Sequence, residues 1–123
     1  MKVNRAWLRA HSQVSLHHED EDTPYEDRFD NPDDVAWIRE QLRRGNSWAW
    51  CQVKVTVSFL GFQSDQYLGD CSYESERAFR AGGYFEDLVG DGVEEIAVAL
   101  EALSVEHGLW EHDSITCIWC VVT

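Results

Sequence analysis

Basic residues are scarce in this chain: 10 lysines and arginines stand against 23 aspartates and glutamates, a formal charge of −13 over 123 residues. A surface of that sign repels nucleic acid and anionic membranes and attracts basic partners, or serves solubility alone. Long apolar runs are missing too. No stretch approaches the ~18 apolar residues of a membrane span. Met1-Lys2-Val3-Asn4-Arg5 leads into no apolar run of the signal-peptide kind. These absences predict a cytoplasmic protein without membrane contact, its four cysteines kept as thiols.

Catalytic signatures are absent as well. The sequence holds no G-x-S-x-G elbow, no phosphate-binding glycine loop and no H-E-x-x-H. Gly90-Asp91-Gly92 only begins like a dinucleotide loop, because Glu95 stands where a third glycine belongs and the pair falls within a helical period. Glu106-His107 and Glu111-His112 have no identifiable partner for general-base work. The expectation is therefore no enzyme, no catalytic residue, no cofactor and no metal. A small metal-binding enzyme using Cys and His residues is the remote alternative.

What is present fits one α+β domain over residues 1–123. Residues 5–17 alternate, with Ala6, Leu8, Ala10, Val14 and Leu16 on one face and Arg5, Trp7, Arg9 and His11 on the other, which predicts a half-buried strand. Asn31 as cap, Pro32 at the first position and Val35, Ile38 and Leu42 as a stripe predict a helix over about 32–44, stopped by Gly45-Asn46. Residues 48–60 alternate most strongly of all, with Ala49, Cys51, Val53, Val55, Val57 and Phe59 on the apolar face. A turn at 61–66 and a returning strand at 67–73 follow. A short helix at 75–80 and a long one at 84–107 come next, the long one interrupted by Gly90 and Gly92. Residues 115–123 read as an inner strand. The order β-α-β-β-α-β predicts a four-stranded antiparallel sheet with two helices on one face, the ferredoxin-like arrangement.

Between the first strand and the first helix lies an acidic loop at about 18–34. Glu19, Asp20, Glu21, Asp22, Glu26, Asp27, Asp30, Asp33 and Asp34 share it with one base, Arg28. His17 and His18 precede these acids, but adjacent strand residues point apart and the carboxylates lack calcium-loop spacing, so the run reads as solvated charge. The cysteines are read structurally. Cys117 and Cys120 sit three steps apart on a strand, with sulfurs on opposite faces. Cys51 and Cys71 flank Gly61 symmetrically and would face each other across a hairpin, as a reduced core pair or as a bridge.

Six tryptophans are many for so short a chain, and one or two are expected to be partly exposed. Trp7, Trp48 and Trp50 fall on the polar sides of their predicted strands, near Arg5, Arg9 and Lys54. Together they suggest an aromatic sheet face, suited to a protein contact or a homodimer seam more than to nucleic-acid bases in so acidic a chain. The candidate partner-binding residues are thus Glu19, Asp20, Glu21, Asp22, Glu26, Asp27 and Asp30 with Trp7, Trp48 and Trp50.

Trp50-Cys51-Gln52-Val53-Lys54-Val55, Tyr67-Leu68-Gly69-Asp70-Cys71-Ser72-Tyr73 and Gly83-Tyr84-Phe85-Glu86-Asp87-Leu88 resemble small uncharacterised proteins of bacteriophages and prophages. The resemblance covers residues 48–103 and brings no catalytic residues. It implies an inhibitor that binds a host defence or nucleic-acid-handling protein through a basic surface, by imitation of DNA. A homo-oligomeric assembly protein using the tryptophan face is the alternative.

Overall fold

The computed structural model describes residues 2–107. Their elements are α1 (Arg5–His11), β1 (Gln13–Asp20), a 3-10 turn (Tyr25–Asp27), α2 (Pro32–Arg43), a second 3-10 turn (Ser47–Ala49), β2 (Cys51–Phe59), β3 (Phe62–Cys71), α3 (Glu76–Ala81) and α4 (Tyr84–His107). The three strands form one antiparallel sheet in the order β1-β2-β3.

This corrects the four-stranded ferredoxin-like expectation. In a split βαβ sheet the strand after the second would lie between the first two. Here β1 pairs directly with β2, so the chain leaves through the acidic loop and α2 and returns antiparallel to its immediate neighbour. The strand expected at 115–123, with Cys117 and Cys120, lies outside the described residues, as does Glu111-His112.

The strand expected at 5–17 begins only at Gln13. Residues 5–11 are helical because the ends decide the matter: the Asn4 side chain accepts from the Trp7 N–H at 3.0 Å, and Ser12 is extended and stops the helix. Alternation over seven residues does not distinguish the two periods, and Ala, Leu and Arg favour helix. A single turn-spaced residue, Leu8, is buried.

The helix expected at 32–44 forms as α2. Asn31 accepts from the Asp33 N–H at 2.8 Å, Pro32 opens the first turn, and Gly45 follows with φ of 88°. Ile38 is its one buried residue, while Trp37 is 37% exposed. Glu40 takes hydrogen bonds from both Arg43 and Arg44, which hold its carboxyl below the usual range.

β2 keeps the predicted alternation, every odd residue from Cys51 to Phe59 being buried. The turn to β3 is tighter than expected. Leu60 and Gly61 have φ of 47° and 84°, and two positive values in a two-residue loop suit the twist of a hairpin. Along β3, Ser64 is buried at 2% and Tyr67 exposed at 65%, yet Cys71 is buried at 3%. The phase slips by one residue near Asp70, whose φ is 55°, as at a β-bulge. Both Cys51 and Cys71 therefore face the core, as free thiols. Burial raises them, to about 12 for Cys51 and about 11 for Cys71, which keeps them protonated and unreactive.

Two compact units result. One comprises Leu16–Val55 and Gln66–Leu88, with Ile38, Trp48, Val53, Val55, Phe79 and Phe85 in its core. The other comprises, among the described residues, 2–15, 56–65 and 89–107, with Leu8, Val57, Phe59, Val93, Ile96 and Leu100 buried. In the latter, Arg5 donates to Glu94 at 2.9 Å and to Glu101 at 2.8 Å, and holds both carboxyls below their usual range. Glu101 also accepts from the Val3 N–H at 2.9 Å. No helix among the described residues is long and apolar enough to cross a membrane.

The two glycines that interrupt α4 differ in kind. A Cβ on Gly92 would lie 2.7 Å from Val57 Cγ2, whereas one on Gly90 would meet nothing within 4 Å. Only Gly92 is required by packing, here of the helix onto β2. Gly90→Ala should therefore raise stability by about 0.5–1 kcal/mol through helix propensity. Gly92→Ala should lower it by roughly 1–3 kcal/mol through overpacking. Urea unfolding of the two variants checks the opposite signs.

Candidate functional site

The acids singled out in the sequence do not all sit in a loop. β1 extends through Glu19 and Asp20, so these two project from a strand end. Glu21 and Asp22 lead out of it, and Pro24 precedes the 3-10 turn that carries Glu26 and Asp27. The turn closes with the Arg28 N–H donating to the Tyr25 carbonyl at 3.0 Å. Asp30 is exposed just before the cap of α2.

What holds this segment is Trp50. Its backbone is extended, in phase with Gln52 and Lys54, so the alternation rightly sends its ring to the polar side of the sheet. There the acidic segment covers it. The indole N–H donates to the Thr23 carbonyl at 2.7 Å, and the rings of Tyr25 and Phe29 meet the indole edge-on at 6.4 and 5.8 Å. Trp50 is consequently only 4% exposed. Two further ties secure the segment: Gln52 Nε2 donates to the Asp20 carbonyl at 3.4 Å, and Arg28 pairs with Asp70 at 3.1 Å.

The folded segment borders an open cleft of about 440 Å³. Asp20, Glu21, Asp22 and Glu26 line it together with Tyr25 and Trp50, and Leu42, Gly45 and Ser47 complete the wall. Asp27 and Asp30 are outside it, and Glu19 lines a separate pocket with His17 and Lys54. Gly69 lies under the Glu21 carboxylate, whose oxygen would be 3.6 Å from a Cβ there. Carboxylates beside aromatic rings offer acceptors and π faces, the combination that suits guanidinium and ammonium groups. No group of three His, Cys, Asp or Glu side chains among the described residues could hold a metal ion.

The expected aromatic face is not assembled, for three separate reasons. Trp7 lies on α1, stacked on His11 at 3.9 Å and edge-on to Phe59 at 5.8 Å, and is half-buried. Trp48 belongs to a 3-10 turn capped by Asn46 and is 8% exposed, stacked on His18 at 4.2 Å and packed near Phe79 at 5.5 Å. Trp50 is covered as described. The histidine pair does diverge: His18 Nε2 meets Ser47 Oγ at 2.8 Å, whereas His17 is exposed. Sequence reasoning missed Thr23, Tyr25, Phe29 and Arg28. The signal was two aromatic residues inside an otherwise polar acidic run, which a solvated loop does not need.

No family model matches this chain, and neither does any curated protein or solved structure.

Trp50→Phe keeps an aromatic ring but removes the donor, leaving the Thr23 carbonyl without its partner. The variant should fold, lose about 1–2 kcal/mol, and show faster amide hydrogen exchange confined to residues 21–29. Exchange equal to that of the parent would show that Trp50 does not anchor the segment.

Proposed function

We propose that this chain is a non-enzymatic acidic binding protein that docks the face around Asp20, Glu21, Asp22 and Glu26 on the basic groove of a nucleic-acid-handling protein. One observation carries the reading: the carboxylates stand on a segment already fixed by Trp50 rather than on a loose charged loop. Ordering in advance removes an entropic cost of binding, which a solubilising loop has no need to avoid. Arg28, the only base among residues 18–34, pairs with Asp70, so the acids keep an uncompensated field.

A groove built for duplex DNA expects one negative charge per ~1.7 Å of axis, and closely spaced carboxylates can occupy it. The resemblance to small phage proteins supports the same direction, an inhibitor acting in the host cytoplasm. The buried indoles of Trp48 and Trp50 lend no support to a homodimer built on a tryptophan face.

The test changes Glu19, Asp20, Glu21 and Asp22 to their amides. Folding should be little affected, because Glu19, Asp20 and Asp22 are exposed and Glu21 is only half-buried, and such surface charges contribute little to stability. Proteins captured from host lysate by the parent should be nucleic-acid-handling proteins that are released as salt rises well above ~0.15 M, where the screening length falls below ~8 Å. The amide variant should capture them far more slowly. Equal capture by both chains, unaffected by salt, would contradict the proposal.

A further inference from the structure

A second pocket, of about 360 Å³, opens on the polar face of the sheet. Its lining draws on all three strands: His17 and Glu19 from β1, Gln52 and Lys54 from β2, Tyr67 from β3. With Leu60-Gly61 as the two-residue turn, Lys54 and Tyr67 stand directly opposite each other, about 5 Å apart at Cβ. The Thr56 hydroxyl to Asp65 bond, at 2.6 Å, fits the same register.

Two features of this pocket are unusual for the chain. Lys54 is one of two lysines in the sequence, and it is half-buried in a protein carrying 23 acidic residues. Yet neither the Lys54 side chain nor the Glu19 carboxylate forms a hydrogen bond or ion pair with any described residue. A cation and an anion thus line one pocket without pairing. Beside them Tyr67 is 65% exposed, which leaves its ring as an apolar wall open to solvent.

We infer that this pocket binds a free α-amino acid as its zwitterion. Lys54 takes the carboxylate, Glu19 takes the ammonium group, and the side chain lies against Tyr67. Charge complementarity selects this class. An anion would meet the −13 charge of the chain, and a plain cation would be drawn with less selectivity to the acidic cleft. A molecule carrying both charges is neutral overall, so the field of the whole protein neither repels nor diverts it, while both local charges are satisfied. Gln52 and His17 supply further hydrogen-bonding groups at the rim. The volume lies within the ~300–1,000 Å³ of small-molecule sites.

The experiment titrates the full chain with L-phenylalanine to about 10 mM, followed by amide chemical shifts, which detects a Kd near ~1 mM. Saturable shifts should centre on His17, Glu19, Gln52, Lys54 and Tyr67. N-acetyl-L-phenylalanine, lacking the ammonium, and L-phenylalanine amide, lacking the carboxylate, should each bind about tenfold more weakly or worse, a difference of about 1.4 kcal/mol. Lys54→Gln should abolish the preference for the zwitterion over the amide, and Glu19→Gln the preference over the N-acetyl compound. Spectra with parent-like dispersion show that each variant is folded. Shifts that do not saturate, that centre elsewhere, or that are as large with both blocked compounds would overturn the assignment.

Discussion

The hydrogen bond from the Trp50 indole to the Thr23 carbonyl fixes how the acidic segment lies on the sheet. An indole on the polar side of a sheet has two outcomes, exposure to water or a cover that satisfies its N–H. Here the cover is the acidic segment itself, which places Tyr25 and Phe29 against the ring and turns its carboxylates outward. Burial of the ring and display of the charge are two sides of one contact. Remove it, and residues 21–29 lose their principal attachment between the end of β1 and the start of α2.

The charges fall into two groups with different work. Arg5 ties the start of α1 to Glu94 and Glu101 of α4, and Arg43 and Arg44 converge on Glu40 within α2, so these cations are used inside the fold. Among the described residues no cation pairs with Asp20, Glu21, Asp22 or Glu26, and Arg28 pairs with Asp70 instead. Uncompensated carboxylates repel one another, and a segment tethered only by its ends would spread them apart. The aromatic anchor holds them together against that repulsion, at short range and without screening by salt.

Elements with local signals were legible in the sequence. The cap and proline of α2, the alternation of β2 and the long period of α4 each depend on residues within a few positions of one another. α1 was misread because seven residues carry both periods, and only the Asn4 cap separates them. Sheet order was misread because pairing of β1 with β2 rather than β3 is a long-range choice that alternation does not encode. The candidate site divides the same way. Composition located the acids, and phase placed Trp50 on the polar side of its strand. Their meeting joins residues 27 positions apart, which no spacing rule reports. Strand phase alone therefore tells nothing of what covers Trp50, and it puts Trp48 on a strand where it occupies a turn.

Held by Trp50, the acidic surface is ordered in the isolated protein. Backbone ¹⁵N relaxation of the isolated protein tests it most directly, residue by residue from Asp20 to Phe29. Order parameters of about 0.85, equal to those of β1 and α2, are expected. Values below about 0.6 across Glu21–Phe29 would contradict it, because the segment would then be a mobile charged loop that Trp50 does not hold.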